Sequence, residues 1–178
     1  MNKPDGLSEV PLQVESVWDY PRPPRLEPVP QRIRILQGGR GLAETRVLAE
    51  TTAAFRILET SHPPVYYLPP SGFAAGLLRR SADRTSFCEF KGMATYWDIL
   101  LDDTVELTAA GWSYESPLRA YTALTGCVAL YASRLATRQI SCWVGDEQVK
   151  PQEGDFYGGW ITSKLRGPFK GAPGTRGW

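Results

Sequence analysis

The sequence predicts a β-rich domain, built as a sandwich or barrel of short strands. Three observations carry that expectation. Brief runs of alternating polar and apolar residues recur at close spacing. Gly and Pro are abundant, at 17 and 15 of 178 residues, which favours turns over long helices. The best helix signals sit in one stretch near residue 120.

The first thirty-one residues hold seven prolines: Pro4, Pro11, Pro21, Pro23, Pro24, Pro28 and Pro30. Such a segment cannot form a helix or a central strand, so it should run extended. Val17-Trp18-Asp19-Tyr20 within it is too aromatic for an idle tail. The leader is expected to lie across the folded body and dock Trp18 or Tyr20.

Arg32 to Leu36 alternates as a half-buried strand does, and Gly38-Gly39-Arg40-Gly41 reads as a turn. Ala43 to Glu50 and Ala54 to Glu59 are strands joined near Thr51-Thr52, and Val65 to Leu68 is a fourth. Pro69-Pro70-Ser71-Gly72 starts a turn, and Phe73 to Arg80 is expected to make one or two helical turns. Thr85 to Phe90 alternates, Lys91-Gly92 turns, and Ala94 to Leu101 resumes. Asp102-Asp103 is a charged turn before Val105 to Tyr114. Pro117 to Leu124 has Ser116 as N-cap, Pro at the first helical position and Gly126 past the end, so it reads as a helix. Cys127 to Tyr131 and Gln139 to Val144 are the last strands, closed by the turn Gly145-Asp146-Glu147.

The length suits one domain with wrapping ends. Residues 1–30 form the leader, 31–147 the β-rich core, and 148–178 a Gly-rich basic arm packed on the core. From Ile161 to Trp178 there are four basic residues (Lys164, Arg166, Lys170, Arg176) and no acid. Either a loose basic tail or an ordered arm set against an anion or a neighbouring subunit fits that run.

Twenty basic and 19 acidic residues leave a net charge of +1, which gives no global case for nucleic acid or an anionic membrane. Three cysteines, Cys88, Cys127 and Cys142, form no C-x-x-C pair, so no structural zinc site is expected. They read as reduced thiols of a cytoplasmic protein. No signal peptide and no spanning apolar stretch is read.

The chain has a single histidine, His62, placed before Pro63-Pro64 and the run Val65-Tyr66-Tyr67. Imidazole titrates near neutral pH, and a Pro-stiffened frame would hold it in place, as a general acid or base requires. A histidine in a turn can equally do no more than bond a backbone carbonyl. The second catalytic candidate is Cys88, as a thiol partner for His62. Lys91 would meet negative charge. On an ideal strand Cys88 and Lys91 face opposite ways, so both reach one site only through a bend near Gly92.

Aromatic residues are many: six Trp, eight Tyr and six Phe. Each buried hydroxyl or indole N–H needs a partner, so part of this set should border a pocket. Tyr66 and Tyr157 would orient a ligand beside Tyr96, and Trp112 and Trp160 would supply walls. The glycines of Phe156-Tyr157-Gly158-Gly159-Trp160 permit close approach. No phosphate loop, dinucleotide-binding fingerprint, nucleophile elbow or two-histidine metal centre occurs in the sequence.

His62-Pro63-Pro64-Val65-Tyr66-Tyr67, Cys88-Glu89-Phe90-Lys91-Gly92, Tyr96-Trp97, Trp112-Ser113-Tyr114 and Phe156-Tyr157-Gly158-Gly159-Trp160 together resemble one family. Gly167-Pro168-Phe169-Lys170-Gly171, Gly174-Thr175-Arg176-Gly177-Trp178 and the Trp18 to Pro24 leader extend the likeness. It is a bacterial and fungal family known as a domain of unknown function, number 427, also filed under a nucleotidyltransferase-type label. The resemblance implies a mainly β, β-tent-like arrangement of two antiparallel sheets with one or two short helices. Related folds carry paired C-x-x-C zinc knuckles; this chain has none, so their metal is not carried over. Nucleotidyltransferases of the labelled kind use a Gly-Ser turn followed by paired metal-binding acids, an arrangement this sequence lacks.

Two function classes follow. The first is a pocket for a small, anionic molecule centred on His62, with no nucleic acid or membrane partner expected and the cofactor left unassigned. The second is an interaction or homo-oligomeric assembly module, for which the leader and arm are apt. Nucleotidyl transfer, from the family label, is a third and weaker reading.

Overall fold

The computed structural model describes residues 11–38, 44–154 and 156–178. The first ten residues of the leader, the turn beyond Gly38 and the start of the strand read from Ala43 lie outside the described residues.

The strands in chain order are β1 (Glu15–Ser16), β2 (Arg25–Pro28), β3 (Ile33–Gln37), β4 (Arg46–Thr51), β5 (Phe55–Leu58) and β6 (Val65–Tyr67). Next come β7 (Leu78–Cys88), β8 (Gly92–Leu101), β9 (Thr104–Tyr114) and β10 (Val128–Leu130). After the helix α1 (Ala132–Ala136) follow β11 (Ile140–Val144), β12 (Glu147–Gln148), β13 (Lys150–Pro151), β14 (Trp160–Ile161) and β15 (Leu165–Arg166).

Two antiparallel layers dominate, and no sheet closes into a barrel. One layer has the order β12-β11-β3-β4. The other joins two sheets, β2-β5-β6 and β10-β9-β8-β7. Leu68 and Val128 exchange backbone hydrogen bonds of 2.9 and 2.8 Å and weld β6 to β10. The fold is therefore mainly β with short helices, as expected.

Strand alternation divides the joined layer into two buried faces. Tyr66, Leu68, Val128, Leu130 and Ile99 face the β3–β4–β11 layer and pack against Ile33, Ile35, Leu48, Ile140 and Cys142. Tyr67, Ala129, Trp112, Tyr114 and Tyr96 point the other way and make a second, aromatic core. The segment carrying Tyr121 and Leu124 packs into that core, and the Tyr121 hydroxyl donates to Pro24 O at 2.7 Å.

Two helix expectations need correction. Phe73 to Arg80 holds no helical turn: a 3-10 turn occupies Pro70–Gly72, and β7 already begins at Leu78. The reason is Asp98, opposite on β8. It accepts hydrogen bonds from Ser81 Oγ and, at 3.1 Å, from Arg79, which draws those residues into the sheet. Pro117 to Leu124 is not an α-helix but a 3-10 segment at Arg119–Leu124, kinked at Tyr121. The pre-helical position falls at Leu118, which has no capping side chain, and Ser116 caps nothing. Burying the Tyr121 ring sets that geometry. The α-helix that does form, α1, is five residues long and was not legible.

The leader wraps the body. Arg56 is 9% exposed and forks two hydrogen bonds of 3.0 and 2.7 Å to Glu15, with a third of 2.7 Å to Glu27. The Tyr20 hydroxyl donates to the same Glu15 at 2.7 Å, and Val17 is fully buried. β1 pairs in parallel with β15 of the arm, and the Trp18 indole N–H donates to Pro168 O at 2.8 Å. Both leader aromatics are thus held, although Trp18 keeps 41% exposure.

Candidate functional site

His62 ends a tight turn gripped from both sides. Ser61 adopts the left-handed region, φ 70, and the His62 N–H closes the turn on Glu59 O at 3.0 Å. On the leader side, Ser61 N–H donates to Val17 O at 2.9 Å and Thr60 Oγ1 to Tyr20 O at 2.6 Å. On the arm side, Lys170 N–H donates to Ser61 O at 2.9 Å.

His62 Nδ1 lies 2.9 Å from Thr60 O. A carbonyl only accepts, so Nδ1 carries the proton and Nε2 presents its lone pair. Burial lowers the His62 pKa, and Lys170 and Arg22 push the same way; Thr60 O and Glu59 oppose them without reversing the direction. The ring is therefore a neutral imidazole at neutral pH, a hydrogen-bond acceptor or base at Nε2.

Tyr157 meets the His62 ring at 5.6 Å in an edge-to-face contact. It also lines a groove of about 790 Å³ between the loop around Glu153, Gly154 and Phe156 and the arm from Gly171 to Arg176. Lys170 Nζ stands 5.9 Å from the Tyr157 ring. His62 thus buttresses one wall of the groove without lining it.

A second assembly of rings fills the outer face of the joined layer. The Trp112 indole N–H donates to Tyr67 OH at 3.3 Å, and Trp112 lies 4.5 Å from Tyr131. Tyr67 lies 6.3 Å from Tyr114, and Tyr96 OH shares a 2.9 Å hydrogen bond with Ser86 Oγ. Cys88 packs against the ring cluster that holds Tyr114, and Lys91 Nζ lies 6.0 Å from the Tyr114 ring. Burial raises the pKa values of Tyr67 and Tyr114, so both hydroxyls keep their protons.

A family model described as a domain of unknown function (DUF427), under the label NTP_transf_9, matches residues 25–141. The chain belongs to this family. No curated protein matches it. The DUF427 match takes in His62, Cys88, Lys91, Tyr96 and Trp112, whereas the groove around Tyr157 lies beyond it.

Within this DUF427 chain the eight site residues read from sequence fall into three places. His62 and Tyr157 meet at the groove. Cys88, Lys91, Tyr96 and Trp112 belong to the outer aromatic core, where the turn before Gly92, φ 101, brings Cys88 and Lys91 to one ring. Tyr66 and Trp160 stack at 5.0 Å inside the main core, 2% and 0% exposed, and the Trp160 indole N–H donates to Leu130 O at 3.1 Å. Burial pushes the Tyr66 hydroxyl up to about 12 despite the Arg56 charge beside it. The two assemblies touch through Gly158, where a Cβ would collide with the Trp112 ring.

Sequence reading missed Arg176 as a groove residue and Lys170 as a neighbour of His62, because both lie far from it in the chain. It also missed Arg56, which alternates with apolar neighbours as an outward residue would. Among the described residues no group of three or more His, Cys, Asp or Glu side chains could hold a metal ion, and no helix is long and apolar enough to cross a membrane.

Proposed function

We propose that this chain binds a small anionic molecule in the groove between the loop carrying Tyr157 and the arm carrying Arg176. The carrying observation is the contact of the neutral His62 ring with Tyr157, a wall of that groove. Phe156, 80% exposed, offers a second ring, and Arg176 and nearby Lys170 supply positive charge. His62 acts by holding Tyr157, and by offering Nε2 to a ligand group that reaches past that ring. Three free thiols among the described residues agree with a cytoplasmic setting.

The test is a panel of organic acids, sugar phosphates and nucleotides read by thermal shift. At least one member stabilises the native chain, Tyr157→Ala abolishes that gain, and His62→Ala reduces it. Unchanged stabilisation in His62→Ala removes His62 from the binding role.

Assembly is the alternative, and deleting residues 1–28 while measuring mass in solution separates the two. The anchoring groups of the leader, Glu15, Val17 and Tyr20, are engaged within the chain, which favours the binding reading. Nucleotidyl transfer requires Mg²⁺-dependent nucleotide binding, and calorimetry with ATP and Mg²⁺ that shows no heat counts against it.

A further inference from the structure

We infer that the groove selects a planar aromatic ring bearing one carboxylate, an inference that rests on the binding reading above and narrows it to one ligand class. His62 meets Tyr157 at 5.6 Å with planes at 64°, and Tyr157 meets Phe156 at 5.4 Å with planes at 87°. Three rings thus follow one another edge to face, from the His62 turn out to the groove. Phe156 is the last of them. It lines the groove, is 80% exposed, and has Tyr157 as its one ring partner among the described residues. A phenyl ring left in water gains by being covered, and gains further when the cover is another aromatic ring. An aromatic guest continues the row. A saturated ring of the same size covers the area but supplies no π face and no aromatic edge.

The backbone presents these rings on a fixed base. Gly154 takes φ 93, and a Cβ there would stand 3.3 Å from the Tyr157 ring and 3.2 Å from Gly171 O. The loop therefore lies directly on the arm, with Tyr157 against bare backbone. Gln152, 3% exposed, closes the two ends of the loop: its N–H donates to Gly159 O at 2.9 Å, and its Oε1 accepts from the Gly159 N–H at 3.1 Å. Its Nε2 donates to Lys170 O at 2.7 Å and ties the loop to the arm. A wall set in advance binds without the cost of ordering it.

Charge fixes the other half of the ligand. Arg176 on the arm and Glu153 on the loop both line the groove, both are exposed, and neither forms an ion pair with a described residue. Lys170 Nζ already donates to Trp178 O at 3.1 Å. One guanidinium is left to fork onto a carboxylate. Glu153 opposes a second negative charge, which favours a monoanion over a dianion.

The test is a ¹H–¹⁵N titration of the full chain with benzoate, cyclohexanecarboxylate and isophthalate, at constant ionic strength. Benzoate should move the Gly154, Tyr157 and Gly174 amides and saturate. It should bind about 2- to 10-fold tighter than cyclohexanecarboxylate, the worth of one aromatic pair, and tighter than isophthalate. Phe156→Leu changes an exposed side chain and should remove the advantage over the saturated acid. Glu153→Gln should narrow the gap to isophthalate. Equal affinity for the saturated and aromatic acids, an advantage that survives in Phe156→Leu, or isophthalate binding as tightly as benzoate overturns the inference while the anion reading stands. If none of the three binds but another small anion moves the same amides, the inference again falls alone. If no small anion moves them, both readings fall.

Discussion

The His62 and Tyr157 rings meet edge to face, with centroids 5.6 Å apart and planes inclined at 64°. That contact ties a turn held by the leader to a groove walled by the arm. A proton added to His62 therefore acts on a half-buried, already bonded ring.

Folding depresses the His62 pKa below its ordinary 6.5, chiefly by burial. Between the folded and unfolded values the unfolded chain binds more protons. The stabilisation is fully present above 6.5 and is lost as pH falls from there through the folded value. Urea midpoints between pH 7.5 and 5 should decline, and His62→Gln should flatten that decline. An identical pH slope in the variant contradicts the assigned protonation state.

Arg56 pins the leader. Burial alone would raise the Glu15 carboxyl, but hydrogen bonds from Arg56 and Tyr20 outweigh it and hold the pKa below 4.5. Arg56→Met strands two carboxylates and should cost about 2 kcal/mol in urea unfolding, less than a fully buried pair because Glu15 keeps some solvent. Hydrogen exchange at Val17 and Tyr20 should quicken in the same variant. Unaltered protection there would mean that the leader is held by other contacts.

Asp98 is the one buried carboxylate among the described residues. It accepts from Ser81 Oγ, Arg79 and, at 2.9 Å, from the N–H of Ala109, whose φ is 48. Asp98→Ala leaves a buried N–H and hydroxyl unpaired and should cost about 3 kcal/mol. A loss below about 1 kcal/mol would show that the β8–β9 irregularity holds itself.

Gly158 carries the contact between the two ring assemblies. Gly158→Ala drives a methyl into Trp112 and should cost about 1–3 kcal/mol, with a shift of the Trp112 indole N–H resonance. Gly174→Ala meets no atom within 4 Å and is strained only by φ +88, so it should cost about 1 kcal/mol and leave Trp112 alone. Equal effects at both positions would deny the close packing at Gly158.

The features legible in the sequence were those set by neighbours in the chain. Asp102-Asp103 turns β8 into β9 with φ values of 51 and 62, and Gly145-Asp146 turns Val144 to face Glu147, both as the turn residues indicated. Alternation located β3 and most of β8. What escaped was set across the fold. Asp98 draws Arg79 and Ser81 into β7, and the Tyr121 bond to Pro24 spans 97 residues. The site behaved likewise: the chain singled out His62 and its aromatic run, but not that the turn before Gly92 would gather Cys88 and Lys91 at Tyr114, away from the imidazole.

The most direct check is a ¹H–¹⁵N titration of the native chain with a panel of small organic anions, followed at Gly154, Tyr157, Gly171 and Gly174. A binder should move those four amides together and saturate, and the effect should vanish in Tyr157→Ala. If no anion moves them, or if every binder moves amides elsewhere and persists without the Tyr157 ring, the groove beside His62 is not a ligand site.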